Sequence, residues 1–234
     1  MSLVERLDWD SSFFGLPIGR VKSGIGRNEI GKVVREAEDR GLRCVYLLVS
    51  AEDIALVSAA EEHGFRVREI RVELQRPVIG HPMAMTGLRA AGAKDLETLE
   101  PIARDHIRGT RFFDDEHFAL ENSAELYVEW LRRGLVSDAT ERRTLIGGAD
   151  QGFVVCHLDA VSRVGRIELI AVTKDAAGKG LGKALMAGAG ALFSAASMET
   201  ATVTTQGSNI SAQALYQACG YRTAKVSYWL HIWL

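Results

Sequence analysis

Cysteine and proline are scarce in this sequence of 234 residues, which holds three of the first and four of the second. Cys44, Cys156 and Cys219 are scattered, each inside an apolar run, so they form neither a disulfide framework nor a Cys-x-x-Cys metal knuckle. Three buried free thiols suit a reducing cytoplasm, and the six scattered histidines add no metal-ligand spacing, so no metal is expected. Apolar residues nowhere run uninterrupted for the length of a bilayer, so no membrane span is expected. Glu5, Asp8 and Asp10, with no long apolar stretch beside them, argue against a signal peptide. The net charge is only −2 and it is evenly spread, with 12 Lys/Arg against 13 Asp/Glu up to residue 82. Such a surface gathers neither nucleic acid nor anionic lipid. Repeats and low-complexity segments are also missing.

What is present reads as α and β segments in alternation. A first strand is expected near 18–21. A helix follows with Ile30, Val33, Val34 and Ala37 on one face, opened by Asn28 and ended by Gly41. The apolar run 44–49 has the length of a strand buried on both faces. Ser50 opens a helix over 52–62, which Gly64 stops. The next run changes phase: Phe65 and Val67 share one parity, while Ile70, Val72 and Leu74 share the other, so a bulge is expected near Glu69. Pro77, Gly80 and Pro82 mark a linker, which divides the chain into an N-terminal α/β unit at 1–80 and a second unit at 83–234. In the second unit the patterns give a short strand at 86–90, helices at 95–106 and 123–133, and a hairpin of 144–148 with 152–158. Strands at 165–172 and 200–205, a short helix at 211–219 and a last strand from 222 complete it.

One stretch organises the rest. A β-rich run ending at Val172 leads into Ala177-Gly178-Lys179-Gly180-Leu181-Gly182-Lys183, and a helix with Leu185, Met186, Ala189 and Phe193 follows. Strand, glycine turn and helix start make an anion cradle, because the first N–H groups of a helix are unpaired and its dipole is positive there. The spacing is not that of a P-loop: the position five before Gly182 is Ala177, and Ala184 stands where a hydroxyl would be needed. It is not a dinucleotide fingerprint either, since Lys183 replaces the third glycine.

The segment resembles the acyl-CoA-binding core of the GCN5-related N-acetyltransferases (GNAT), whose motif is Arg/Gln-x-x-Gly-x-Gly/Ala after a strand. Gly180-x-Gly182 falls in register, and Ala177 departs from the consensus at the first place. A second block, Asn209 through Tyr216 to Gly220-Tyr221, resembles that family's Asn…Tyr…Gly-Phe/Tyr segment. Further segments resemble the TDP-fucosamine acetyltransferases, which N-acetylate a nucleotide-linked 4-amino-4,6-dideoxygalactose. They are Leu7-Asp-Trp9-Asp10 with Phe13-Phe14-Gly15, Arg111-Phe112-Phe113-Asp114-Asp115 with Phe118, Leu126-Tyr127 with Trp130, and Tyr228-Trp229.

The resemblance implies a mixed α/β (α+β) sheet, the GNAT acyl-CoA N-acyltransferase fold behind a smaller N-terminal α/β domain. It implies acetyl-CoA as cosubstrate and direct transfer to an amine. Two neighbouring strands, 167–172 and 200–205, would splay to admit the pantetheine. Backbone N–H near Ala171 or Val172 would face the thioester oxygen, and the amides of Ala177 to Lys183 would cradle the diphosphate, with Lys179 and Lys183 adding charge. Tyr216 corresponds to the tyrosine that protonates the leaving thiolate, and Asn209 to the residue that opens its helix or touches pantetheine. For the general base, Glu168 on the strand, His117 among acidic neighbours, and a water chain all stand open. A nucleotide-sugar acceptor would meet Arg111, Phe112, Asp115, Phe118 and Tyr127, by aromatic stacking and by paired donors to its diphosphate. Trp9, Phe13, Phe14, Tyr228 and Trp229 read as packing residues. Other small-molecule or peptide amines, and a non-catalytic acyl-CoA-binding module, are the competing readings; a homodimer is compatible with either.

Overall fold

The computed structural model describes residues 2–78, 87–107, 109–136 and 141–234. The first part runs β1 (Val4–Arg6), α1 (Asp8–Phe14), β2 (Ile18–Val21), α2 (Ile30–Asp39), β3 (Cys44–Ser50), α3 (Ile54–Glu62) and β4 (Arg66–Pro77). The second runs β5 (Leu88–Ala91), α4 (Leu96–His106), α5 (Arg111–Asp114), α6 (Leu120–Val136), β6 (Arg142–Gly147), β7 (Gly152–Asp159) and β8 (Val164–Val172). Then come α7 (Leu181–Ala195), β9 (Thr200–Gln206), α8 (Ile210–Ala218) and β10 (Arg222–Trp233).

The ten strands among the described residues belong to one sheet, in the order β1-β2-β3-β10-β4-β9-β8-β7-β6-β5. The C-terminal strand is the seam. β10 pairs antiparallel with β3 over Ser227–Trp233 and with β4 over Arg222–His231, so the last residues of the chain lie between two strands of its first third. That position explains the apolar run of β3, which has neighbours on both edges and side chains buried on both faces. The expected linker falls largely on 79–86, outside the described residues. The sheet continues across it through the β4–β9 and β4–β10 ladders.

Helices cover both faces. Val45, Leu47 and Val49 pack with α2 and α3, while Val154, Ile167 and Val203 pack with α7 and α8. On the other face Cys44, Tyr46, Phe153, Leu169 and Ala171 pack with α1, α4, α5 and α6. Two helix starts differ from expectation. α3 is capped by Asp53, whose carboxylate accepts the Leu56 N–H at 3.0 Å, rather than by Ser50. α2 is preceded by a single 3₁₀ turn over Arg27–Glu29, so Asn28 lies inside that turn. No helix among the described residues is long and apolar enough to cross a membrane.

The seam is locked by Asp115, just after α5. Its carboxylate is fully buried and accepts from His231 Nδ1 at 2.6 Å, Trp233 Nε1 at 3.0 Å and His117 Nδ1 at 2.9 Å, with Arg68 Nε 3.5 Å away. Burial works to raise this carboxyl's pKa, but the His231, Trp233 and His117 hydrogen bonds outweigh it and hold it below the usual carboxylate range. Burial depresses the His231 imidazole to about 4, against the opposing pull of Asp115. Both groups therefore bind protons more readily unfolded than folded, and both contribute stability that is lost as pH falls. Replacing Asp115 with Ala leaves the buried His231 N–H and the partly buried Trp233 N–H without their acceptor, and a loss of about 3 kcal/mol or more is expected in urea unfolding at pH 7.5. Wild-type stability should decline as pH drops from 6.5 toward 4; a flat profile over that window would contradict the buried neutral imidazole.

A cavity where the β8–β9 ladder ends

β8 and β9 pair in parallel from Val164↔Thr200 to Ile167↔Val203, and there the ladder stops. Beyond that rung β8 continues to Val172 paired only with β7, and β9 continues to Gln206 paired only with β4. The register of β8 against β7 skips one residue, passing from Val155↔Leu169 to Cys156↔Ile167, so Glu168 is the extra residue of a bulge at the point of divergence. A cavity of about 460 Å³ occupies the gap. Its walls include Ile167 to Ile170 of β8 and Val203 to Gln206 of β9. Asn209 and Tyr216 come from the α8 side, and Arg111, Phe112, Tyr127 and Trp130 from the opposite face of the sheet. A passage lined from both faces lets two molecules meet end to end.

Tyr216 stands in this cavity, 3% exposed, and burial pushes its phenol above the ordinary range. Asn209 caps α8, its side-chain oxygen accepting the Ala212 N–H at 3.1 Å. The glycine turn lies outside the lining, exposed at the start of α7. Gly178 and Gly180 take φ of 75° and 89°, the left-handed region in which an L side chain is strained. Ala177 and Lys179 already donate their N–H groups to the carbonyls of Thr173 and Ala176. The amides of Leu181, Gly182 and Lys183 belong to the first turn of α7 and have no carbonyl four residues back to bond. An outward-facing helix start, an unladdered strand edge and a buried phenol in sequence fit an extended phosphate-bearing coenzyme whose far end is reactive. Ala171 and Val172 lie on that strand, just past the lining residue Ile170.

The other expected residues separate into two groups. Arg111, Phe112, Tyr127 and Glu168 line the cavity. The Arg111 guanidinium carbon lies 4.2 Å from the Phe112 ring centre, 4.3 Å from that of Trp229 and 5.0 Å from that of Tyr46. Tyr127 donates its hydroxyl to Thr110 Oγ1 at 2.7 Å. Glu168 is held by Arg142, whose Nε and Nη2 reach its two oxygens at 2.8 and 3.2 Å. Asp115, Phe118 and His117 are not brought to the cavity. Asp115 is spent on the seam, Phe118 packs against Phe14, Phe112 and Trp233, and His117 stacks on Trp233 with ring centres 4.4 Å apart. Trp9, Phe13 and Phe14 form an aromatic series, stacked and edge-to-face in turn, that ends on Phe112 and Phe118.

Several lining residues carried no motif in the sequence. Arg71, Arg133, Arg142 and Arg166 join Arg111, so five arginines face the cavity against the carboxylates of Glu69 and Glu168. Trp229, read as plain core, also lines the cavity, and its buried Nε1–H meets no partner among the described residues. Only the phase change near Glu69 pointed toward this wall. It is realised as a bulge at Arg68, where the register passes from Trp229↔Glu69 to Leu230↔Val67.

Residues 102–221, just over half of the chain, match the acetyltransferase (GNAT) family. The chain is 29% identical over 141 residues to the spore coat polysaccharide biosynthesis protein SpsD of Bacillus subtilis. That alignment takes in 59% of this chain and 48% of the relative, so the chain spans about half the length of the curated relative it matches. Among solved structures, a GCN5-related N-acetyltransferase from Sphaerobacter thermophilus superposes with a TM-score of 0.62 at 13% identity, covering 97% of this chain and 75% of that one. Another from Kribbella flavida gives 0.61 at 15% identity, covering 92% and 81%. At these identities the two structures speak to the fold.

The glycine turn offers a clean test. Nothing lies within 4 Å of a Cβ added at Gly180, so Gly180→Ala strains the backbone without blocking space. A stability loss of about 1–2 kcal/mol is expected in urea unfolding, and if the bound loop needs that conformation, coenzyme A affinity should fall about tenfold by calorimetric titration.

Proposed function

Starting from the fact that the chain belongs to the acetyltransferase (GNAT) family, a fold that brings acetyl-CoA as cosubstrate, we propose that it transfers the acetyl group directly to the amine of a nucleotide-linked amino-deoxysugar of the TDP-fucosamine kind. The observation that carries this reading is the charge of the cavity. Five arginines facing two carboxylates favour an acceptor that is itself strongly anionic, and a nucleoside diphosphate sugar brings two phosphates and an amine in one molecule. Polyamines and aminoglycosides, being cations, would meet a wall of their own sign. The aromatic rings of Phe112, Tyr127, Trp130 and Trp229 supply flat apolar surface for a pyranose or a base. The B. subtilis relative is named for spore coat polysaccharide biosynthesis, a setting in which activated sugars are substrates.

In this reading the residues divide the work. The amides at the start of α7, from Leu181 to Lys183, hold the coenzyme diphosphate, and the unladdered edge of β8 through Ala171 and Val172 holds the pantetheine and polarises the thioester oxygen. When bound, acetyl-CoA supplies an activated acyl group with a thiolate as leaving group. Tyr216 gives that thiolate its proton; burial keeps the phenol protonated until then. Arg111, clamped between rings, presents its guanidinium to the acceptor in a fixed orientation. Glu168 orders Arg142 at the mouth between the strands.

The test is a panel: nucleotide-linked amino-deoxysugars, polyamines, aminoglycosides and peptides, each with acetyl-CoA, read by free thiol and by product mass. Acetylation of the nucleotide sugars with the highest kcat/KM is expected; transfer confined to peptides or polyamines would sink the acceptor assignment. In the same assay Tyr216→Phe should lower kcat by about 10²–10³-fold while the KM for acetyl-CoA stays near the wild-type value. Loss of affinity without loss of kcat would remove Tyr216 from the chemistry.

A further inference from the structure

The two carboxylates of the cavity are held differently. Glu168 has both oxygens on Arg142. Glu69 is held by uncharged donors: its Oε2 accepts the backbone N–H of Arg111 at 2.9 Å, and the Gln206 side chain also hydrogen-bonds the carboxylate. Glu69 lies opposite Trp229 in the β4–β10 register, next to the Arg68 bulge that re-phases the strand. The β4–β9 ladder has its last rung at Arg71↔Gln206, so Glu69 lies two residues past it, where the cavity wall opens. Two donors accompany it. Arg111 Nε and Trp229 Nε1 are buried at the cavity wall and meet no partner among the described residues. Buried donors left unfilled cost stability, which a ligand oxygen would recover. One carboxylate beside two unfilled donors complements a ligand that carries a cationic nitrogen near an oxygen.

We propose that Glu69 receives the ammonium group of the acceptor and accepts the proton that the amine must lose before attack, while Arg111 and Trp229 hold an oxygen beside it. This rests on the cavity being the acceptor site. The protons balance: the ammonium passes one to Glu69, which releases it to solvent, and the freed nitrogen lone pair forms the C–N bond. As the C–S bond breaks, the Tyr216 phenol protonates the sulfur, and the second proton shed by the nitrogen restores the phenol. The groups that face Glu69 are Arg111 from α5, Arg71 on its own strand, Gln206 from β9, Trp229 from β10 and Tyr127 from α6. Burial raises the Glu69 carboxyl from its ordinary value, opposed by Arg111 and Arg71, and brings it closer to working pH. The base must be ionised to act, so kcat/KM should fall on the acid side as Glu69 takes up its proton.

The experiment compares wild type, Glu69→Gln, Glu69→Asp and Glu168→Gln from pH 5 to 9, using whichever amine of the panel wild type acetylates fastest. Glu69→Gln keeps an oxygen for the Arg111 N–H and is expected to fold. Its kcat should drop about 10²-fold or more, the KM for acetyl-CoA should stay near wild type, and the acid limb of the profile should vanish. Glu69→Asp should recover part of the rate with a displaced limb, and in Glu168→Gln the limb should persist. Calorimetry without acetyl-CoA should show the acceptor binding about tenfold more weakly to Glu69→Gln. A Glu69→Gln variant with kcat within a few-fold of wild type and the acid limb intact overturns the proposal. So does a Glu69→Asp limb unmoved from wild type, should the Gln variant not fold. If wild type acetylates another amine but no nucleotide sugar, the sugar reading falls and Glu69 is judged on that amine. If it acetylates none, both fall together.

Discussion

The broken ladder between β8 and β9 is the constraint from which the rest of the site follows. Parallel strands that stay paired leave no room between them, and backbone groups that lose their partner inside a protein must find another. Here the pairing ends after Ile167↔Val203. On one side the bulge at Glu168 turns β8 away; on the other β9 remains fastened to β4 as far as Gln206. The gap is therefore held open by ladders on its outer edges and does not depend on a ligand to wedge it. Arg111 and Phe112 of α5 and Tyr127 and Trp130 of α6 line the gap on one face of the sheet.

Charge decides what that gap can hold. Arg142 is offset by Glu168, and Arg71 reaches Glu73 and Thr204, whereas Arg111 lies against the faces of aromatic rings. A guanidinium held by rings keeps its N–H groups for something else, whereas one held by a carboxylate has spent them. Glu69 feels the same positive surroundings and still has its pKa raised, because burial outweighs the neighbouring arginines. In the proposed reaction these opposite requirements belong to one acceptor: phosphates for the arginines and an ammonium for the carboxylate.

The elements legible in the sequence were those fixed by local pattern. The apolar run at 44–49, the β-branched run at 200–205 and the hairpin around 149–151 have strand length and turn residues, and each appears where expected. The glycine turn was legible because only left-handed backbone explains two glycines so placed. β1 and α1 were missed: three and seven residues give too short a window for periodicity, and α1 has no side-chain cap to mark its start. Asp115 was misplaced because its partners His231 and Trp233 lie at the far end of the chain, so an acidic residue among aromatics looked like a ligand contact. Glu69 shows the opposite case. Its phase change was visible, but its meaning depends on Trp229 and Gln206, which reach it only through β10 and β9. Local rules find the frame of this site, and long-range pairing chooses who faces inward.

The burial of Tyr216 then makes sense as part of the same economy of space. An exposed phenol titrates near 10 and an exposed thiol near 8.5, so in water the proton would favour the phenol by about 2 kcal/mol. Burial raises the phenol further, which taken alone makes it a poorer acid. Yet the departing thiolate would form in the same cavity, and the desolvation that opposes a phenolate opposes a thiolate too. What counts is the difference between the two acids in one environment, because burial moves both in the same direction. A buried phenol stays protonated across the working range of pH and yields its proton only when a second anion appears beside it.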